Sequence, residues 1–93
     1  MTIGVLQLSL FIPQANSLKS KRQILKSLKD KIRHKFNVSV AEIDAQDLWQ
    51  SATLAVACVN SDKRLLNSIL SKVVNLAQAQ RGTELSDYSI ELY

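Results

Sequence analysis

The stretch from Ser17 to Phe36, SLKSKRQILKSLKDKIRHKF, limits the possible folds more than any other part of the chain. Leu18, Leu25, Leu28, Ile32 and Phe36 recur at spacings of three, four and seven, with Ile24 beside them. At the helical turn of ~100° per residue they fall within an arc of roughly 120°. A helix with one apolar arc must lay that arc against another layer. Lys19, Arg22, Lys26, Lys29 and Arg33 form a second stripe, roughly 80° wide, on one flank of it. Lys21 lies near the apolar face at the first turn, and its long side chain is expected to reach out to water. Asn16 or Ser17 can cap the start through a side-chain oxygen. Asn37, which tolerates left-handed backbone, can end it. Lys31, Arg33 and Lys35 sit in the last turns, where the helix dipole favours cations.

The stretch holds eight of the twelve basic residues and, in Asp30, one of the eight acidic ones, so it is near +7 and the remainder near −3. A pI near 9.5 points to a polyanionic partner such as RNA. Ninety-three residues suit one domain with a single two-layer core. No apolar run reaches the ~18 residues of a membrane span. The N-terminus has no basic region and alternates like a strand from the start, so no signal peptide is expected. Cys58 is the only cysteine. It excludes an internal disulfide and fits a reducing compartment, and a cytoplasmic location is expected.

The other segments read as follows. Residues 2–12 alternate as a first strand, with Leu6, Leu8, Leu10 and Ile12 on one face, and Pro13 stops its ladder. Residues 38–44 form a second strand. Residues 45–50 are a polar turn carrying Trp49. Residues 52–59, ATLAVACV, form a third strand that is apolar on both faces, as a central strand should be. Asn60-Ser61-Asp62 opens a second helix running to about Gln80, closed by Arg81-Gly82. Residues 84–93 alternate as a last strand. The order βαββαβ, with two right-handed crossovers, gives a ferredoxin-like α+β two-layer sandwich: a four-stranded antiparallel sheet with two helices on one face. The uncovered sheet face is expected to show Ile3, Val5, Phe11, Ala55, Ala57 and Val59. Such a patch is rarely left wet, so a partner or a self-dimer is expected there, with Val5, Phe11, Ala55 and Ala57 as the dimer's interface residues.

Three pieces of sequence carry a family resemblance: SLKxKR (Ser17, Leu18, Lys19, Lys21, Arg22), FNVSVAE (Phe36 to Glu42) and DLWQ (Asp47 to Gln50). Together, over nearly the whole chain, they resemble the YlxP-like family of small bacterial proteins of unknown function. The resemblance implies a ferredoxin-like fold. The family's genes often lie beside those for transcription termination, translation initiation and ribosome maturation factors, which implies work with RNA or the ribosome. It brings no catalytic residues.

The chemistry legible in the residues is binding chemistry. Lys19, Arg22, Lys26, Lys29 and Arg33 suit contacts to the phosphates of structured RNA; the same stripe also serves as a solvated helix face. An RNA-recognition motif stacks bases on aromatic residues of its first and third strands. Phe11 is the one aromatic in those segments, so base stacking on the sheet is not expected. Pro13-Gln14-Ala15-Asn16 lacks the Arg of an acylphosphatase-like phosphate cradle. His34, the only histidine, is placed on the polar helix face, and Cys58 in the core. With one of each, no His- or Cys-based metal cluster, cofactor or catalytic residue is expected. Glu42, Asp44 and Asp47 gather beside Trp49, either as a locally hydrogen-bonded turn or as a contact loop with Trp49 as anchor for a protein partner. The expectation is a non-enzymatic RNA- or ribosome-associated protein. The alternative is a homodimeric scaffold or ACT-like ligand-sensing module acting through the open sheet face.

Overall fold

The computed structural model describes residues 1–44 and 48–93. Six elements follow in the expected order: β1 (Thr2–Phe11), α1 (Leu18–Lys35), β2 (Ser39–Asp44), β3 (Ser51–Asn60), α2 (Lys63–Ala79) and β4 (Glu84–Leu92). The sheet order is β2-β3-β1-β4, and every neighbouring pair is antiparallel. β1 and β3 are central, in keeping with the two-sided apolarity of residues 52–59. The architecture is the ferredoxin-like sandwich.

The β1–β3 ladder runs unbroken from Thr2 opposite Asn60 to Phe11 opposite Ser51. This register stacks Leu6, Leu8 and Leu10 beside Val56, Leu54 and Ala52, all buried beneath the helices. α1 adds Leu25, Leu28 and Ile32 to that core, and α2 adds Leu66, Leu70, Val73, Val74 and Ala77. Cys58 is buried among them. α2 comes close to β1 at Gly4. A Cβ there would lie 2.7 Å from Leu70 Cδ1 and 3.2 Å from Leu66 Cδ2, so glycine's missing side chain sets how near this helix sits.

Local chemistry fixes the element ends. Ser17 Oγ accepts from the Ser20 N–H at 3.1 Å, which makes Ser17 the N-cap of α1. Asp62 Oδ1 accepts from the N–H groups of Arg64 (2.9 Å) and Leu65 (3.2 Å) at the start of α2. α1 ends one residue before the expected Asn37. Phe36 turns extended while its N–H still bonds the Ile32 carbonyl at 2.9 Å, and the chain passes straight toward β2. Gly82, at φ 86, makes the left-handed turn from α2 into β4.

Both edge strands are irregular. The β1–β4 register shifts where Ser9 faces Asp87 and Leu10 faces Leu85. The extra residue, Ser86, donates its hydroxyl to the Ser9 carbonyl at 2.9 Å. β2 shifts between Glu42 and Asp44. Bulges of this kind bend an edge away from pairing with another chain.

Candidate polyanion-binding surface

Charge is sorted by layer. Eleven of the twelve basic residues lie in α1 and α2, and no strand contains one. Five of the eight acidic residues, Glu42, Asp44, Glu84, Asp87 and Glu91, lie in strands. Glu84, Asp87 and Glu91 sit opposite Phe11, Ser9 and Val5, which places them on the sheet face away from the helices. The helix layer is therefore cationic and the far side of the sheet is edged with carboxylates.

The proposed cationic stripe is present but unevenly available. Lys19, Arg22, Lys26 and Arg33 are exposed, and Lys29 is half-buried. Lys26 Nζ pairs with Asp30 Oδ2 at 2.7 Å, one turn along the helix. Arg33 donates to the Val40 carbonyl at 2.8 Å, with its Nη1 3.9 Å from Asp30 Oδ1. The hydrogen bond from Lys26, together with the positive charges of Lys26, Arg33 and Lys29, holds the Asp30 carboxyl below the usual carboxylate range. Two members of the stripe are thus committed within the protein. Lys19, Arg22 and Lys29 make no ion pair with the described residues, and these three are the ones best placed to meet an anion.

Lys21 is a correction. It does not reach water: its side chain is 1% exposed, and its Nζ lies 2.9 Å from Glu42 Oε2 in β2. Position 21 continues the buried series 25, 28 and 32 at helical spacing, so the lysine enters the core stripe. It meets a carboxylate there because Glu42, opposite Leu54, points to the helix side of the edge strand. The pair ties α1 to β2.

The opposite flank of α1 faces α2. Between the second halves of the two helices lies an open groove of about 950 Å³. Phe36, Leu76 and Ala79 supply its apolar surface. Lys31, His34, Lys35 and Lys72 supply its basic walls, against one acid, Asp30. Lys31 Nζ bridges the helices through Gln80 Oε1 at 2.9 Å. His34 does lie on the exposed helix face, but sequence spacing did not reveal that it joins this groove, because the groove brings residues 30–36 together with residues 72–80.

On the open sheet face, Val5 pairs with Ala57 and Ile3 with Val59, which is 58% exposed. Ala41 extends this patch across Ala55. Phe11 shares the face but is separated from the patch by Gln7, Ser9 and Thr53. The four residues expected at an interface therefore divide into a contiguous trio, Val5, Ala55 and Ala57, and an outlying Phe11. Trp49 is 54% exposed. Its neighbour Gln50 is tied to the end of β1 twice: the Ile12 N–H bonds the Gln50 carbonyl at 2.8 Å, and Gln50 Nε2 donates to the Pro13 carbonyl at 2.9 Å. Asp47, grouped with Glu42 and Asp44 in the sequence, lies outside the described residues. Among the described residues, no three His, Cys, Asp or Glu side chains gather as a metal site requires, and no helix is long and apolar enough to cross a membrane.

Residues 3–90 match a family model described as "protein of unknown function (DUF503)". The uncharacterized protein YlxP of Bacillus subtilis (strain 168) is 38% identical over 72 residues, spanning 77% of this chain and 78% of that protein. Among solved structures, a de novo designed protein with ferredoxin fold gives a TM-score of 0.52 at 13% identity, covering 100% of this chain and 83% of the other. A mutant of SnoaB, a cofactor-independent oxygenase from Streptomyces nogalater, gives 0.52 at 10% identity, covering 99% and 90%. At such identities the likeness is one of fold alone. The match from residue 3 to residue 90, with a relative identical at more than a third of aligned positions, makes the chain a member of the DUF503 family.

Proposed function

We propose that this protein is a non-enzymatic, cytoplasmic RNA-binding protein that holds structured RNA by its phosphates along α1. The observation that supports this most directly is the sorting of charge by layer. A helix layer with eleven basic residues, ten of them at the surface and only Lys21 buried, backed by a sheet whose strand charges are all acidic, orients a polyanion onto one side of the molecule. Lys19, Arg22 and Lys29 make the first contacts. Lys26 and Arg33 contribute field and join when phosphates outcompete Asp30 and the Val40 carbonyl.

The test is fluorescence anisotropy with a fully paired RNA hairpin, its two strands joined by an ethylene-glycol linker in place of a nucleotide loop. Affinity falls linearly, on logarithmic axes, as salt rises, with a slope of about −0.7 to −0.9 per phosphate contacted. Lys19→Glu with Arg22→Glu removes binding, whereas Lys26→Ala alone weakens it modestly. Undiminished affinity in the Lys19/Arg22 variant would exclude α1 as the RNA surface.

A second reading rests on the Ile3–Val59 and Val5–Ala57 pairs, of which Val59 is exposed and the other three are half-buried: self-association through the open sheet face. It leaves the helix layer outward and is compatible with the first.

A further inference from the structure

The groove between α1 and α2 lies on the flank of α1 opposite the stripe just described, and its lining differs in kind. Lys31, Lys35 and Lys72 surround an apolar floor of Phe36, Leu76 and Ala79. Its one acid, Asp30, is already engaged by Lys26 and Arg33. We infer that this groove seats a single nucleotide, with the base over Phe36 and Leu76 and the phosphate among the lysines.

The choice of ligand follows from the chemistry of the lining. The groove's volume of about 950 Å³ suits a small molecule. Its floor of three side chains matches a ring system and is too short for an extended acyl chain. Asn75 in its lining is an amide, able both to donate to and to accept from the edge of a base, and Gln80, whose Oε1 accepts from Lys31, keeps its NH2 to donate. An inorganic anion alone would use the lysines but leave the apolar floor wet. An unpaired RNA nucleotide and a free nucleotide present this same chemistry. The first source rests on the RNA-binding reading above; the second does not.

The full chain, labelled with ¹⁵N, is titrated with AMP, with the linker-closed paired RNA hairpin, and with the same hairpin carrying a one-nucleotide bulge. Base stacking gives the bulged hairpin roughly tenfold tighter binding than the paired one. Amide shifts at Phe36, Leu76 and Ala79 appear with AMP and with the bulge, and not with the paired hairpin. Lys72→Ala with Asn75→Ala, two exposed positions, loses the bulge preference. If AMP moves the groove amides but neither hairpin binds, the nucleotide site stands and the RNA reading fails. If the paired hairpin binds through Lys19 and Arg22 while neither the bulge nor AMP reaches the groove, the nucleotide site is overturned alone. A poly-glutamate peptide that shifts the groove where AMP and the bulge do not also overturns it, in favour of a protein ligand.

Discussion

Lys21 and Glu42 form a contact in which removing either partner leaves a charge behind. Their exposures differ: 1% for the lysine side chain and 17% for the carboxylate. Removing one member of a buried pair commonly costs about 3–5 kcal/mol, less where the remaining charge can reach water. Glu42→Leu is therefore expected to destabilise more than Lys21→Met, by exposure alone. The double variant Lys21→Met/Glu42→Leu recovers much of either loss, a coupling readable from urea midpoints in a double-mutant cycle. Lys21 was half legible. Its place in the 21, 25, 28, 32 series is visible in the sequence, but its partner sits on a strand whose facing depends on pairing across the sheet. Trp49 behaves oppositely: over half exposed, it gives emission readily quenched by acrylamide, and Trp49→Ala shifts stability by no more than about 0.5 kcal/mol.

Among the elements, α1 carries the binding proposal and Asp30 restrains it. Asp30 is held below the usual carboxylate range, so its pairing with Lys26 is fully present at neutral pH and is lost only as acid drives the carboxylate to protonate, below its ordinary pKa. RNA affinity near neutral pH is thus independent of Asp30 titration. Asp30→Asn, by contrast, releases Lys26 while Arg33 keeps its bond to the Val40 carbonyl, and the salt dependence of hairpin binding steepens by about one unit of slope. α2 is positioned instead by Gly4. Leu70 is fully buried and cannot swing aside from an added Cβ, so Gly4→Val is expected to cost about 1–3 kcal/mol in urea unfolding. The elements themselves were legible because each keeps one period: alternation in residues 2–12 and 52–59, and threes and fours in α1 and α2. The bulges near Ser86 and after Glu42 were not read from the alternation, although the first leaves a trace there: Leu85 and Tyr88, three positions apart, share the face opposite Leu10 and Leu8. The inter-helix groove was hidden because Lys31 and Gln80 meet only once both crossovers have packed on the same sheet face.

Across the whole molecule, the same charge distribution sets opposite salt responses for its two exposed surfaces. RNA held on the helix layer, as proposed above, would release counterions, and its binding is expected to weaken as salt rises. Self-association through the open sheet face buries Ile3, Val5, Ala57 and Val59 while bringing together copies of a surface edged by Glu84, Asp87 and Glu91. Repulsion between those carboxylates is screened by salt, and apolar burial is not weakened by it. A dimer formed on this face therefore strengthens, or stays constant, between low and moderate salt. Sedimentation velocity across that range separates the cases. A dimer that dissociates as salt rises cannot be held by the open face and must instead join the basic helices of one copy to the acidic sheet of another. That head-to-tail contact does not close on itself and would give species larger than dimers at high protein concentration. Val59→Lys distinguishes them further: it prevents association by the open face and, by reducing the negative charge of the sheet side, also weakens a head-to-tail contact, but only the former loss persists at moderate salt.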